Sequence, residues 1–274
     1  RDISLKITDN TILGIVGING AGKSTLLRLL AGVYLPDAGS IRYDGRSPED
    51  AETRKDFFFL PDDPYYTSFM TPDSLFDFYK CFHPTIDKET YESLLGEYKI
   101  DKNGKVRNFS KGMRRQVFIA LALAVKPRYL LLDEAFDGLD PLSRKVFKDA
   151  IISLVEDGHT PVLISSHSLR ELEDICDSYG ILDHGEMTCS GELATDISRV
   201  HKFQAAFDRE VKEEELAFAC MAFEQTGKVV RFITREKKEI VLEKLEQLNP
   251  IFVEEIEVDF EELFIGEVQS KGYL

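Results

Sequence analysis

Cysteine is scarce. The four present, Cys81, Cys176, Cys189 and Cys220, lie far apart and match neither a metal-ligand spacing nor a disulfide framework, so reduced thiols in a cytosolic protein are expected. Long apolar runs are missing as well. None approaches the roughly 20 residues that a bilayer-spanning helix needs, and no membrane span of its own is expected. Positive charge is in deficit, with 34 Lys plus Arg against 49 Asp plus Glu, and the net charge of −15 argues against an extended contact with a nucleic-acid backbone. There is no internal repeat, low-complexity linker, sustained heptad pattern or signal peptide. The chain opens on Arg1 rather than Met, directly in the alternating Ile3, Leu5 and Ile7, so the first domain is expected to start upstream of Arg1. What remains is a globular chain: 274 residues suffice for one full core and a small second unit.

The most informative stretch is Gly17-Ile18-Asn19-Gly20-Ala21-Gly22-Lys23-Ser24, two glycines five apart followed by Lys and Ser, the pattern of a phosphate-binding loop. Glycine serves here because the backbone must close around a polyphosphate with no Cβ in the way. The strand-like Ile12-Leu13-Gly14-Ile15-Val16 precedes it and a helical Thr25 to Ala31 follows, ended by Gly32. An anion in the loop would therefore sit on a helix N-terminus, where unpaired N–H groups attract negative charge.

Upstream, Asp2–Thr8 and Thr11–Val16 read as strands joined at Asp9-Asn10. Beyond the loop, Ser40 to Gly45 reads as a short strand, and Phe57 to Leu60 as another that breaks at Pro61-Asp62-Asp63. Thr71-Pro72 opens a helix. At Phe109-Ser110-Lys111-Gly112-Met113, Ser110 stands where a helix N-cap belongs, before an Ala- and Leu-rich helix that Pro127 ends. Tyr129-Leu130-Leu131-Leu132 then suits a central strand of a parallel sheet, with Asp133 and Glu134 at its carboxyl end, where such sheets bind ligands. Of two such acids, one can hold a metal and the other activate water; a solvated turn is the plainer alternative. Asp140 precedes Pro141 as an N-cap. The strand Pro161 to Ile164 ends in Ser165-Ser166-His167, so His167 also belongs to a strand's carboxyl end, and Ser168 to Glu171 fits a capping box. Tyr179 to Thr188 reads as a hairpin. After about Asp196 the expectation is an acidic helix over Glu213–Ala222, a hairpin of Lys228–Ile233 with Glu239–Leu242, then a strand and a short helix ending in Leu263 and Phe264.

In this order the motifs resemble the ATP-binding cassette (ABC) ATPases over residues 1 to about 195. The resemblance implies an α/β fold: a P-loop NTPase core with a mixed, mainly parallel sheet, a helical subdomain over about 65–125, an antiparallel β part, and a small α+β extension over 196–274. It implies ATP and Mg²⁺ as ligands. Gly17, Asn19, Gly20, Ala21, Gly22, Lys23, Ser24 and Thr25 would form the Walker A loop, with Lys23 on the β- and γ-phosphates and Ser24 on the metal. Asp133 would help hold the metal, Glu134 would be the general base, and His167 would contact the γ-phosphate. Ser110 and Gly112 fall on the signature that reaches the ATP of the opposite subunit, and Asp140 on the loop that crosses the dimer interface. Phe-Ser-Lys-Gly-Met replaces the commoner Leu-Ser-Gly-Gly-Gln and is similar to bacterial exporter ATPases, as is the Phe-Glu-Glu-Leu-Phe ending. Asp62 stands where the family usually has Gln, and is expected on metal or water. The adenine-stacking aromatic residue would lie upstream of Arg1.

The implied partners are a transmembrane permease subunit and a second ATPase, identical or paralogous, with the chain peripheral at the cytoplasmic face of the membrane. Two alternatives stay open. A soluble ABC protein acting on ribosomes or DNA is opposed by the single Walker A loop, the lack of heptads and the acidic balance. A purely ATP-binding regulatory subunit is opposed by the intact Lys23, Asp133, Glu134 and His167.

Overall fold

The computed structural model describes residues 3–158 and 160–262. The chain divides into two compact units, residues 1–190 and 191–274. The first contains β1 (Ile12–Val16), α1 (Lys23–Leu30), α2 (Ala51–Asp56), β2 (Phe57–Leu60), α3 (Pro72–Lys80), α4 (Lys88–Glu97), α5 (Lys111–Val125), β3 (Tyr129–Leu132), α6 (Pro141–Gly158), β4 (Val162–Ser166), α7 (Leu169–Glu173) and β5 (Ser178–Asp183). Strand β6 (Glu186–Glu192) follows at the junction. The second unit contains α8 (Leu193–Ser198), β7 (His201–Ala206), β8 (Ala222–Thr226), β9 (Val229–Thr234), α9 (Lys238–Glu246) and β10 (Phe252–Ile256).

Six strands form one sheet in the order β2-β3-β4-β1-β5-β6, with parallel pairing from β2 through β5. Every residue of β1, β3 and β4 is buried. Central parallel strands are covered on both faces, which is why they read as unbroken apolar runs. Register places Val16 beside Ser166 and Leu132 beside Ile164, so the carboxyl ends of β1, β3 and β4 open on a common edge. Strand β6 returns along β5 through His184 and Gly185, both at positive φ. Helix α5 is buried at every residue from Arg115 to Val125, an all-round apolar helix of the kind a large core encloses.

In the first unit, two strands expected from sequence are absent from the sheet. Residues 3–8 join no sheet, although Ile3, Leu5 and Ile7 pack on the core, so their alternation reports one buried side without a ladder. Asp2 lies outside the described residues. Ser40–Gly45 is reduced to an isolated antiparallel bridge, Tyr43 with Arg46, around a turn whose Asp44 and Gly45 both have positive φ.

The second unit is an antiparallel sheet of order β10-β7-β9-β8 with α9 between β9 and β10. Connection and order are those of the split β-α-β, ferredoxin-like arrangement, with its first helix shrunk to the single 3₁₀ turn Glu213–Glu215. The longer helix expected over Glu213–Ala222 stops because Ala217 adopts φ 58°. The hairpin partner of β9 is β8, through Gly227, and Glu239–Leu242 belongs to α9. Its four-residue period settles the matter: Val241 and Leu245 are both fully buried on one helix face. The expected terminal helix begins at Phe260, and its Leu263 and Phe264 lie outside the described residues.

Phe203 and Phe232 stack at 5.7 Å between ring centroids in the core of this unit. Phe232→Ala is expected to destabilise the unit by about 3–5 kcal/mol through lost burial and a residual cavity. Urea denaturation followed by far-UV circular dichroism measures the loss, and amide hydrogen exchange should accelerate in β7 and β9.

Candidate active site

The loop after β1 is built for close approach. A Cβ on Gly17 would meet the Leu182 carbonyl oxygen at 2.3 Å, and Gly22 has φ 106°, so neither position accepts a larger residue without rearrangement. Ala21 is buried, its N–H bonded to the Ile18 carbonyl and its own carbonyl accepting the Gly185 N–H, which ties the loop to the β5–β6 turn. Asn19, Gly20 and Thr25 are exposed and Ser24 is half-buried in the first turn of α1. That helix has glycine at its N-cap and no side chain capping it, so its first N–H groups remain for an anionic ligand.

Lys23 is buried at 5% exposure, a costly place for an ammonium unless it is paired. Its Nζ donates to the Gly17 carbonyl at 2.6 Å and lies 3.1 Å from Glu134 Oε1. The other carboxylate oxygen of Glu134 accepts the His167 backbone N–H at 3.2 Å and faces His167 Nδ1 at 2.9 Å. One carboxylate thus joins the ends of three strands. Glu134 itself has φ 48°, the sparsely populated left-handed region for a residue with a long side chain. Two groups hold it there: its N–H donates to Ser165 Oγ at 3.0 Å, and its carbonyl accepts from the Arg115 guanidinium at 3.1 Å.

Asp133 is completely buried. Ser165 Oγ–H donates to its Oδ1 at 2.8 Å, while Oδ2 has no hydrogen-bond partner among the described residues. An orphaned buried carboxylate oxygen on the edge that carries the phosphate loop fits a hard cation or its water. No three His, Cys, Asp or Glu side chains converge as a metal cage among the described residues. The Ser24 hydroxyl and the Asp133 carboxylate are oxygen donors of the kind that would fit Mg²⁺, which takes few protein ligands together with substrate phosphates.

Asp62 joins the site through Arg115, whose guanidinium donates to Asp62 Oδ1 at 2.8 Å and to the Pro61 carbonyl at 2.9 Å. Burial pulls the Arg115 guanidinium below its ordinary pKa, and the Asp62 carboxylate opposes that pull. Ser110 and Gly112 open α5 against the turn at Asp137 and Gly138, and Asp140 follows that turn in the chain. Ser110 Oγ accepts the Met113 N–H at 3.1 Å as an N-cap, and a Cβ on Gly112 would meet the Gly138 carbonyl oxygen at 2.3 Å. Lys111 pairs with Asp137 and holds its carboxyl below the usual range. Asp140 caps α6 by accepting the Leu142 and Ser143 N–H groups, each at 3.0 Å, and the Ser143 hydroxyl at 2.6 Å. The Ser143 hydroxyl is the main cause of its lowered pKa.

Four contributors escape sequence reasoning: Ser165, Arg115, Arg144 and Glu171. The capping box expected at Ser168 is not formed; Glu171 turns inward to Ser166 and Arg144. Nothing in the local pattern distinguishes these from ordinary surface residues. The one signal is the direct succession of Ser165 and Ser166 on an otherwise apolar strand.

A parallel sheet with a glycine loop on a helix N-terminus, and an Asp-Glu pair ending the strand two places away, defines a P-loop nucleoside triphosphatase. Within that class, residues 1–137 match the family described as ABC transporter. The chain is 29% identical over 273 residues to the ABC transporter ATP-binding protein YtrB of Bacillus subtilis, covering 99% of this chain and 93% of that one. It is 34% identical over 202 residues to the ABC-type transporter ATP-binding protein EcsA of the same organism, covering 71% of this chain and 81% of the relative. A solved structure of an ATP binding subunit of an ABC transporter superposes with a TM-score of 0.66 at 27% identity, over 72% of this chain and 85% of that chain. The chain belongs to the ATP-binding proteins of ABC transporters, which are ATPases.

Arg115 and Asp62 differ in what their loss exposes. Arg115→Met takes its donor from the Pro61 carbonyl and one of two donors from the Glu134 carbonyl, which keeps the Asp137 N–H, and is expected to cost about 1–3 kcal/mol. Asp62→Asn removes only the charge of a half-exposed partner, with an expected loss below about 1 kcal/mol. Paired urea titrations compare the two; equal losses would place the weight on the ion pair instead of the carbonyls.

Proposed function

We propose that this chain is the ATP-hydrolysing subunit of a bacterial ABC exporter, driving a separate membrane permease through ATP-dependent dimerisation. The observation that carries the catalytic part is the Glu134 carboxylate held between Lys23 and His167. In the proposed reaction, water attacks the γ-phosphorus as the bond to the leaving β-phosphate oxygen breaks, giving ADP and phosphate. Glu134 accepts the proton of that water. Lys23 and the loop N–H groups, including those of Gly20 and Gly22, meet the charge on the β- and γ-phosphates. His167 contacts the γ-phosphate and holds the Glu134 carboxylate in place. Asp62, bound by Arg115 through one oxygen, is assigned to water or metal. Asp133 Oδ2 and the Ser24 hydroxyl would hold Mg²⁺, which supplies charge neutralisation on the phosphate oxygens when bound.

Ser110, Gly112 and Asp140 are assigned to the ATP site of a second copy or a paralogue. Supporting this, Ile18 in the phosphate loop and Leu142 beside Asp140 are large apolar side chains left 65% and 64% exposed. Tyr65, Phe69, Phe78 and Phe82 give a further exposed aromatic surface after Asp62, suited to the permease. No described helix is long and apolar enough to cross a membrane, so on this reading the span is the partner's and the chain works at the cytoplasmic face. The export direction rests on the Phe109 to Met113 signature, and residues 191–274 are assigned as an accessory unit.

Glu134→Gln should lower kcat by about 10²-fold or more while ATP binding persists and an ATP-bound dimer accumulates in gel filtration. Full turnover by that variant would remove Glu134 as the base. Because half of each site comes from a second subunit, specific activity at low protein concentration should rise with concentration; a flat dependence would argue against the shared site. Affinity purification from cell extract is expected to bring down a polytopic membrane protein, and recovery with ribosomes instead would favour the soluble alternative.

A further inference from the structure

Behind His167 lies a set of buried polar contacts that the proposed chemistry does not use. Glu171 is 8% exposed, and both of its carboxylate oxygens are engaged. Ser166 Oγ–H donates to Oε2 at 2.7 Å, and Arg144 NH1 donates to Oε1 at 3.0 Å. Ser166 Oγ in turn accepts the Ser168 N–H at 2.9 Å, so the two residues flanking His167 are fastened to each other and to Glu171. On the other side, Arg144 Nε donates to the Leu139 carbonyl at 3.0 Å. Leu139 ends the segment that starts at Glu134 and runs through the turn bonds Asp137 N–H to Glu134 carbonyl and Leu139 N–H to Phe136 carbonyl.

The contacts close a ring. Glu134 touches His167 directly, and it also connects to His167 by way of Leu139, Arg144, Glu171 and Ser166. A buried carboxylate is expensive to keep, and an apolar residue of similar volume would often be as stable. Local helix capping does not explain it either, because no side chain caps α7. What the arrangement does accomplish is to fix the short His167 loop against the 134–139 segment.

We propose that Glu171 is a positioning residue for His167, and that with Ser166 and Arg144 it couples the placement of the 134–139 segment to that of the imidazole. The proposal rests on the reading of His167 as a group that acts on ATP. Displacement of Leu139, for example when Asp140 engages a second subunit, would then reach His167 through Arg144 and Glu171.

The test measures steady-state ATPase activity of the full chain carrying Glu171→Gln or Arg144→Met, each in the wild-type and in the His167→Ala background. Each substitution is expected to lower kcat about tenfold with KM for ATP changed less than twofold. In the His167→Ala background the same substitutions should change the residual rate less than twofold, because the group they position is gone. An equal tenfold loss in both backgrounds, or no loss in either, would overturn the proposal. Imidazole NMR provides a readout independent of turnover: Glu171→Gln should shift the His167 ring signals and leave those of the exposed His184 in place. Unmoved His167 signals sink the positioning role by themselves, whereas a wild-type chain that binds but never hydrolyses ATP sinks the underlying reading of the site.

Discussion

The Glu134 carboxylate is where the first unit converges. Its two oxygens meet Lys23 from the loop after β1 and His167 from the end of β4, while its backbone stands at the end of β3. Burial makes this arrangement demanding. A buried ammonium needs an anion, a buried anion needs donors, and the pair contributes little net stability once desolvation is counted. The gain is geometric: three loops from three strands are brought to a common point. That point lies where the carboxyl ends of parallel strands open, the edge at which such sheets place ligands.

Holding Glu134 there requires a backbone conformation that a glutamate adopts at a cost of order 1–3 kcal/mol. The surrounding residues over-determine it. Ser165 binds its N–H and the Asp133 carboxylate with one hydroxyl, and Arg115 binds its carbonyl while reaching the loop after β2 through Pro61 and Asp62. Arg115 therefore links three segments, β2, β3 and α5, around a single planar donor fork. An aspartate at position 62 suits such a partner, since its charge matches a guanidinium that burial would otherwise penalise.

Legibility differed between the two units for a physical reason. In the first, chemistry clusters at strand ends, and a strand followed by Gly, Asp, Glu or His announces itself in a few residues. Thus the phosphate loop, Asp133, Glu134 and His167 all read correctly as neighbours of one sheet edge. The second unit carries no such motif, and its short apolar runs fit either a strand or a helix. Glu239–Leu242 reads as a strand alone, yet folds as a helix because Val241, Leu245 and Leu248 pack together with the core around Phe203 and Phe232. The failed strand at residues 3–8 is the converse case, since one-sided burial imitates the alternation of a ladder.

Local order in the chain was enough to determine the phosphate loop, the order of the strand-end residues and the Ser110 and Asp140 caps, because each depends on residues within a few positions of one another. Only the tertiary structure decided that Glu134 lies between Lys23 and His167, that Asp62 pairs with Arg115, and that Glu171 faces Ser166 and Arg144. His167 and Glu134 are 33 positions apart, and Arg115 and Asp62 are 53 apart. Such pairs arise from the register of parallel strands and the packing of helices against them, and the energy that selects them is the need of each buried charge for its partner.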